Sequence, residues 1–330
     1  MQNTTNLFNN YQLNNLQKEN SNLNYSEFIN GETILKSYPR RLIIQLYSRS
    51  NENIQSQYFS LSLMNTIRPS LSFAEEIVLI SSETRDIHTN LQAVLHFADD
   101  FQINKSLSVN ISALKEISPW VFQYNVSKVN INIGDDINSF ITMLETSSPL
   151  RELIVRKYFA HVKPYITITA NISKSNNIHL EKLVDVVSDI GVDRLVLHTL
   201  KNTNNSEQKY IFKTKDEHAT VFSSIVNRAE MYGIDISIPD HGIDCNNELY
   251  FYPLWSDLFI SPGGALRSFC LADDQIMNLP ALGSSFIPDI WNADAVLKTR
   301  HKKTNPGDMT VTDRAICNRE IYIFRDSIDI

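Results

Sequence analysis

The chain has 330 residues, of which 42% are hydrophobic and 20% charged, and carries a net charge of −7. That suffices for one large α/β unit with an appendage, and the scattered basic residues exclude the electrostatic footprint of a nucleic-acid binder. Apolar runs such as LIIQLY and YITITA are too short to cross a bilayer, and Cys245, Cys270 and Cys317 form no CxxC pair, which excludes a disulfide framework and a self-sufficient metal site.

Residues 1–37 are rich in Asn and poor in aliphatic clusters, so a flexible arm holding at most one short helix is expected. The stretch lacks the basic start and apolar core of a secretory signal, which predicts a cytoplasmic protein without membrane insertion. From Pro39 onward short β-branched runs recur at 41–47, 76–81, 106–111, 128–133, 165–172, 193–200 and 233–240. Helical spacing lies between them. In NLQAVLHFADDF (90–101) and HLEKLVDVVSDIG (179–191) apolar residues fall at i, i+3, i+4 and i+7, and the second ends on a Gly stop.

Strand followed by helix, repeated six or seven times, predicts parallel strands with right-handed crossovers. The expected fold is α/β, a partial (β/α)6-type TIM-like barrel over 38–244, with a doubly wound sheet as the alternative. Either fold places the site at the C-terminal ends of the strands. Beyond residue 245 the rhythm changes. FISPGGALRSFC reads as a hairpin and FIPDIWNADAVLKTRHK as a helix, which predicts a small C-terminal module over 245–330. Its RHKK cluster, Arg300–Lys303, reads as a solvated helix end or a contact for an acidic partner.

The segment that carries the first strand and the loop after it, SYPRRLIIQLYSRSNENIQSQYF, resembles the start of a radical S-adenosylmethionine (radical SAM) enzyme, where a strand runs into CxxxCxxC. Ser50, Ile54 and Gln57 occupy the three cysteine positions, with Asn51 and Tyr58 flanking them. EIVLISSETRDIHTNL is similar to the strand and GGEP turn of that family, read here as Ser81, Ser82, Glu83 and Thr84. Val109, Asn110 and Ile111 stand at its TNG-like turn, and KVNINIGDD resembles its fourth strand. LWSDLFISPGGALRSFC and ALGSSFIPDIWNADAVLK resemble the SPASM extension, with Cys270 on its hairpin cysteine and Cys317 on the first position of a closing CxxC.

The family uses a [4Fe–4S] cluster and S-adenosylmethionine, with soft Cys thiolates holding the iron. Ser is a hard substitute, Gln a weak neutral ligand, and Ile no ligand at all, so neither the radical-generating cluster nor an auxiliary one is expected. The resemblance therefore implies a SPASM-like pseudoenzyme that binds a peptide or protein partner in a maturation or biosynthetic pathway, with Ser81, Ser82 and Glu83 as a vestigial cofactor turn. Two other readings stand beside it. One reuses the barrel mouth for acid–base or metal chemistry through Glu83, Asp135, Asp136, His198, Asp240 and His241, although Asp240 and His241 sit in PDHGID, where turn chemistry explains them equally. The other keeps S-adenosylmethionine or a related nucleoside as a non-redox ligand.

Overall fold

The computed structural model describes residues 2–48, 57–81, 90–145, 148–161, 163–173, 176–199, 215–238, 253–264, 266–267 and 287–304. The chain divides into two compact units, one comprising 1–107 and 245–321, the other 108–244 and 322–330. The division falls inside the strand Asn104–Asn110.

In the first unit, helix α1 (Gln2–Ile29) precedes β1 (Arg41–Gln45). A two-stranded ribbon follows, β2 (Tyr47–Ser48) with β3 (Gln57–Tyr58), and then α2 (Leu61–Leu71), β4 (Glu76–Ser81), α3 (Leu91–Asp99) and the start of β5 (Asn104–Asn110). β1 and β4 are parallel and in register from Arg41↔Glu76 to Gln45↔Ile80. Leu42, Ile43 and Ile44 are fully buried, the near-continuous apolar run required of a parallel strand covered on both faces. The chain re-enters this unit with α9 (Pro253–Ser256), β10 (Asp257–Ile260) and β11 (Leu266–Arg267).

The hairpin expected near FISPGG is present, since Phe259 and Ile260 pair antiparallel with Arg267 and Leu266. Its first strand also joins the main sheet, lying parallel to β1 with Arg41 opposite Asp257. Strand order in this unit is β11-β10-β1-β4-β5. The single helix read in FIPDIWNADAVLKTRHK is two, α10 (Ile287–Trp291) and α11 (Asp294–Thr304).

The N-terminal region departs from expectation. Residues 2–29 form one helix of 28 residues rather than a mobile arm. Composition misled because the helix docks through amides instead of aliphatic side chains. Gln17, Asn20, Asn24 and Glu27 form its buried stripe. Asn20 donates to the carbonyls of Tyr38 and Phe73, both at 3.1 Å, and accepts from Tyr38 N at 2.8 Å. Asn24 donates to Trp255 O at 2.5 Å and to Ser37 Oγ at 2.9 Å. Glu27 accepts from Lys36 N at 2.7 Å and from Ser37 Oγ at 2.5 Å.

Each amide satisfies main-chain groups that would otherwise be buried without partners, a loss costing about 1–3 kcal/mol apiece. Asn20→Leu, which keeps the branching of the side chain but removes its hydrogen-bonding groups, is therefore expected to destabilise the protein by about 2 kcal/mol in urea unfolding. A neutral or stabilising result would show that the stripe is not a set of working hydrogen bonds.

Arg300 is neither a solvated helix end nor open to an acidic partner. It is fully buried, because its guanidinium closes off main-chain carbonyls from three segments of this unit.

The second unit runs from the end of β5 through α4 (Leu114–Gln123), β6 (Lys128–Gly134), α5 (Ile137–Glu145), α6 (Pro149–Phe159), β7 (Tyr165–Ile172), α7 (Leu180–Ile190), β8 (Arg194–Thr199), α8 (Lys215–Tyr232) and β9 (Asp235–Ser237). Its strand order is β5-β6-β7-β8-β9, and the β6/β7, β7/β8 and β8/β9 pairs are parallel. α7 stops at Gly191, whose φ of +87° supplies the left-handed cap that the sequence placed there. Eight parallel strands with intervening helices, in an order that does not return on itself, constitute a partial (β/α) barrel.

Candidate functional site

The site begins with the side-chain alternation of the second unit's strands. In β6, Val129, Ile131 and Ile133 are buried, while Lys128, Asn130 and Asn132 are half-buried on the other face. β7 repeats the pattern, with Ile166, Ile168, Ala170 and Ile172 on the apolar face and Thr167, Thr169 and Asn171 on the polar one. Register places Arg194, Val196 and His198 of β8 on the polar face, opposite Thr167, Thr169 and Asn171. A parallel strand packed on both faces should be apolar throughout, so this alternation marks a sheet face built for polar contact.

The polar face has layers. In the lower one, Thr169 Oγ1 donates to Asn130 Oδ1 at 2.6 Å, and Asn130 Nδ2 donates to Ser108 Oγ at 3.2 Å. Those three side chains satisfy one another across β5, β6 and β7. Two residues further along each strand stand Asn110, Asn132 and Asn171, with His198 beside Asn171 on β8; Asn132 is itself in register with Thr169, so both rows run diagonally across β6 and β7.

In this upper layer Asn110 Oδ1 accepts from Ser112 N and Ser112 Oγ, both at 3.0 Å, and Asn132 Oδ1 accepts from Gly134 N at 2.8 Å. Each carbonyl oxygen is thus spent on the chain's own turn. The Nδ2 groups of Asn110 and Asn132, and the whole Asn171 amide, are bonded to nothing among the described residues. Asn176, itself buried, fixes the rim: it donates to the carbonyls of Asp135 at 2.8 Å and Asn171 at 2.9 Å, and accepts from Ser173 N at 2.7 Å.

Of the residues singled out in the sequence, His198 lies in this layer. Asp135 and Asp136 are exposed just beyond β6, where Asp136 Oδ1 accepts from Ser139 N at 3.1 Å at the start of α5. That hydrogen bonding from Ser139 holds the Asp136 carboxyl below its ordinary range. Asp135 contributes its main-chain carbonyl to Asn176 rather than a carboxylate to a cluster.

Ser81 is buried at the end of β4. Gln57 lies in β3, opposite Ser48 in the ribbon whose Tyr47 and Tyr58 rings are 5.0 Å apart. Ser50, Ile54, Ser82, Glu83, Asp240, His241, Cys245, Cys270 and Cys317 lie outside the described residues. Among the described residues no group of three His, Cys, Asp or Glu side chains is placed to hold a metal ion.

Sequence reasoning missed Asn130, Asn132, Thr169, Asn171 and Asn176. The signal was present in KVNINI and YITITAN, where polar residues recur at every second position inside segments whose parallel pairing demands apolar runs.

The chain has a radical SAM-like fold. Among solved structures it is similar to Streptococcus suis SuiB bound to S-adenosylmethionine, with a TM-score of 0.56 at 13% identity over 91% of this chain and 77% of that one. It is also similar to SuiB bound to precursor peptide SuiA, with a TM-score of 0.54 at 11% identity over 85% of this chain and 70% of that one. Native anSMEcpe with bound AdoMet and Cp18Cys peptide gives a TM-score of 0.54 at 10% identity over 88% and 91% of the respective chains. At such identities the likeness is one of fold. No protein-family model matches the chain, and no curated protein matches it. No helix among the described residues is long and apolar enough to cross a membrane.

Proposed function

We propose that this is a radical SAM-fold protein without an iron–sulfur cluster, acting as a pseudoenzyme that binds a peptide or protein partner. The observation that carries the reading is the donor set. Ser50, Ile54 and Gln57 supply no thiolate where the resemblance calls for three, so the residues present do not fit a [4Fe–4S] cluster. The position of Gln57 within a paired ribbon, opposite Ser48, supports the same view. On this reading Ser81, Ser82 and Glu83 are a vestigial cofactor turn, and Cys270 and Cys317 are residual cysteines of a SPASM-like tail. A peptide partner is supported by the neighbours of this fold that hold precursor peptide SuiA and Cp18Cys peptide, and by the polar side chains that alternate along one face of β6 and β7.

The test is anaerobic reconstitution with iron and sulfide, followed by absorbance and iron counting. The expected product is colourless and retains no iron above the level of an apo control protein. A brown protein with stoichiometric iron and sulfide overturns the proposal. Affinity capture of partners with the purified chain then separates a binding protein from a barrel reused for other chemistry.

A further inference from the structure

We infer that the outer face of α6 is a docking surface for an acidic, apolar segment of the partner. The inference rests on the partner-binding reading above and adds to it a place on the second unit and the chemistry that seats there.

The apolar part of the surface is a departure from what an outer helix requires. Leu150, Leu153 and Ile154 turn inward and are buried, which fixes the opposite side of α6 as the one in water. At about 100° per residue, the centre of that side falls on Phe159, with Val155 one turn before it. Phe159 is 87% exposed, Tyr158 65% and Val155 56%. The tip of Tyr158 lies against Gly191 at the end of α7, where a Cβ would meet its hydroxyl at 3.0 Å. Other helices of this unit are polar on the side in water: α5 exposes Asn138, Thr142 and Glu145, and α7 exposes Glu181, Lys182 and Asp189. Large apolar side chains at i, i+3 and i+4 form a contiguous stripe, which marks an interaction surface where scattered single residues would not.

Charge decides the occupant. Arg151 and Arg156 flank the stripe on its two sides, and His161 and Lys163 follow it in exposed positions. Lys157 turns away to pair with Asp193, and Glu152 is the one acid of the helix. The face is therefore cationic in a chain whose net charge is −7. A second copy docked through the same face would set these arginines against one another. An extended anionic bilayer would attract the arginines but repel a molecule of net charge −7, and three side chains on a helix already packed along its other side fall short of the apolar face that interfacial helices insert. An acidic segment of a partner protein meets neither obstacle. Its carboxylates pair with Arg151 and Arg156 while its apolar residues cover Val155, Tyr158 and Phe159. Val155 and Phe159 are about 6 Å apart along the helix axis, so a short segment suffices.

The experiment titrates the intact protein into a fluorescein-labelled peptide, Ala-Glu-Leu-Phe-Glu-Ala-Leu-Phe-Glu-Ala-amide, and reads anisotropy. Versions with every Glu replaced by Gln or by Lys, and phosphatidylserine vesicles, are measured beside it. The acidic peptide is expected to bind saturably and to weaken as salt is raised, with the Gln version about tenfold weaker and the Lys version unbound. Phe159→Ser and Arg156→Glu should each lower its affinity about tenfold while urea unfolding stays unchanged, because both side chains stand in water.

Absence of saturable binding by the acidic peptide overturns the inference, as does equal binding by the Gln version or by the Phe159→Ser protein. Vesicle binding that Phe159→Ser abolishes overturns it in favour of a membrane. A dimer in sedimentation velocity that Phe159→Ser dissolves overturns it in favour of a second copy. A partner captured by the native chain and held equally well by the protein carrying both Phe159→Ser and Arg156→Glu overturns the role of α6 and leaves the partner-binding reading standing. The two readings thus fail separately: iron content and capture by the native chain decide the first, and the α6 variants decide the second.

Discussion

Replacing Arg41 with alanine is expected to lower the stability of the protein by about 3–5 kcal/mol. Arg41 opens β1 between the first residues of two neighbouring strands, with Asp257 of β10 and Glu76 of β4 in direct register on either side. Its guanidinium bonds the Asp257 carboxylate and lies 3.9 Å from Glu76. The side chains of Arg41, Asp257 and Glu76 are 7%, 1% and 8% exposed, so all three charges have left water. Burial works against the Arg41 charge, yet the attraction and hydrogen bond of Asp257 and the attraction of Glu76 outweigh it and raise its affinity for the proton.

Ser256 Oγ donates to Asp257 at 2.7 Å and Ser106 Oγ to Glu76 at 2.5 Å, which completes a row across the starts of β10, β1, β4 and β5. Removing the arginine alone takes its positive charge from two buried carboxylates, and this explains the size of the effect. Thermal unfolding should fall by on the order of 10 °C. Replacing Arg41 and Asp257 together with Met and Leu should cost less than Arg41→Ala, because the pair then leaves with its charges. A loss below about 1 kcal/mol for Arg41→Ala would mean that the row is hydrated in solution. The row lies at the N-terminal ends of the strands, the end of such a fold that carries stability rather than chemistry.

Arg300→Ala is expected to be nearly as costly, at about 4 kcal/mol. Its guanidinium donates to the carbonyls of Leu254 at 3.1 Å, Thr33 at 3.0 Å and Trp291 at 3.0 Å, and it stacks 4.5 Å from the centre of the Trp291 ring. Burial pushes the guanidinium down to about 9, with the Glu27 charge acting in the opposite direction, so it remains cationic at neutral pH.

Beside it, Asn292 accepts from Leu35 N at 2.8 Å and donates to Leu35 O at 2.7 Å, copying a strand partner. These two side chains tie α10 and α11 to the connection between α1 and β1. Arg300→Ala takes the guanidinium donors from three main-chain carbonyls, those of Leu254 and Trp291 buried, and removes the stacking. Arg300→Lys keeps the charge but loses the planar fork, and should recover less than half of the loss. Urea unfolding followed by tryptophan fluorescence checks both variants. An effect of Arg300→Ala below about 1 kcal/mol would show that the carbonyls find water instead.

The sequence by itself determined the rhythm of strands and helices. β4 and β7 fall at the residues expected, because β-branched runs fix strand position locally, and α7 ends where Gly191 provides a left-handed residue. The order of the radical SAM-like elements was legible for the same reason. Tertiary structure alone decided what the polar residues do. Asn-rich composition in residues 1–29 suggested an arm, but Asn20 and Asn24 become anchors once the carbonyls of Phe73 and Trp255, 53 and 231 residues away, come within reach. Arg300 resembled a surface charge until segments distant in sequence presented their carbonyls to it.

The candidate site was half visible. Alternation placed Asn130, Asn132 and Asn171 on one face of their strands, but only the pairing of β5, β6 and β7 brings those faces together, gives Asn130 the hydroxyls of Ser108 and Thr169 and leaves other amides open. Apolar residues announce themselves by period because burial depends on which face they occupy. A polar residue's role depends on which partner arrives, and partners are chosen by the fold.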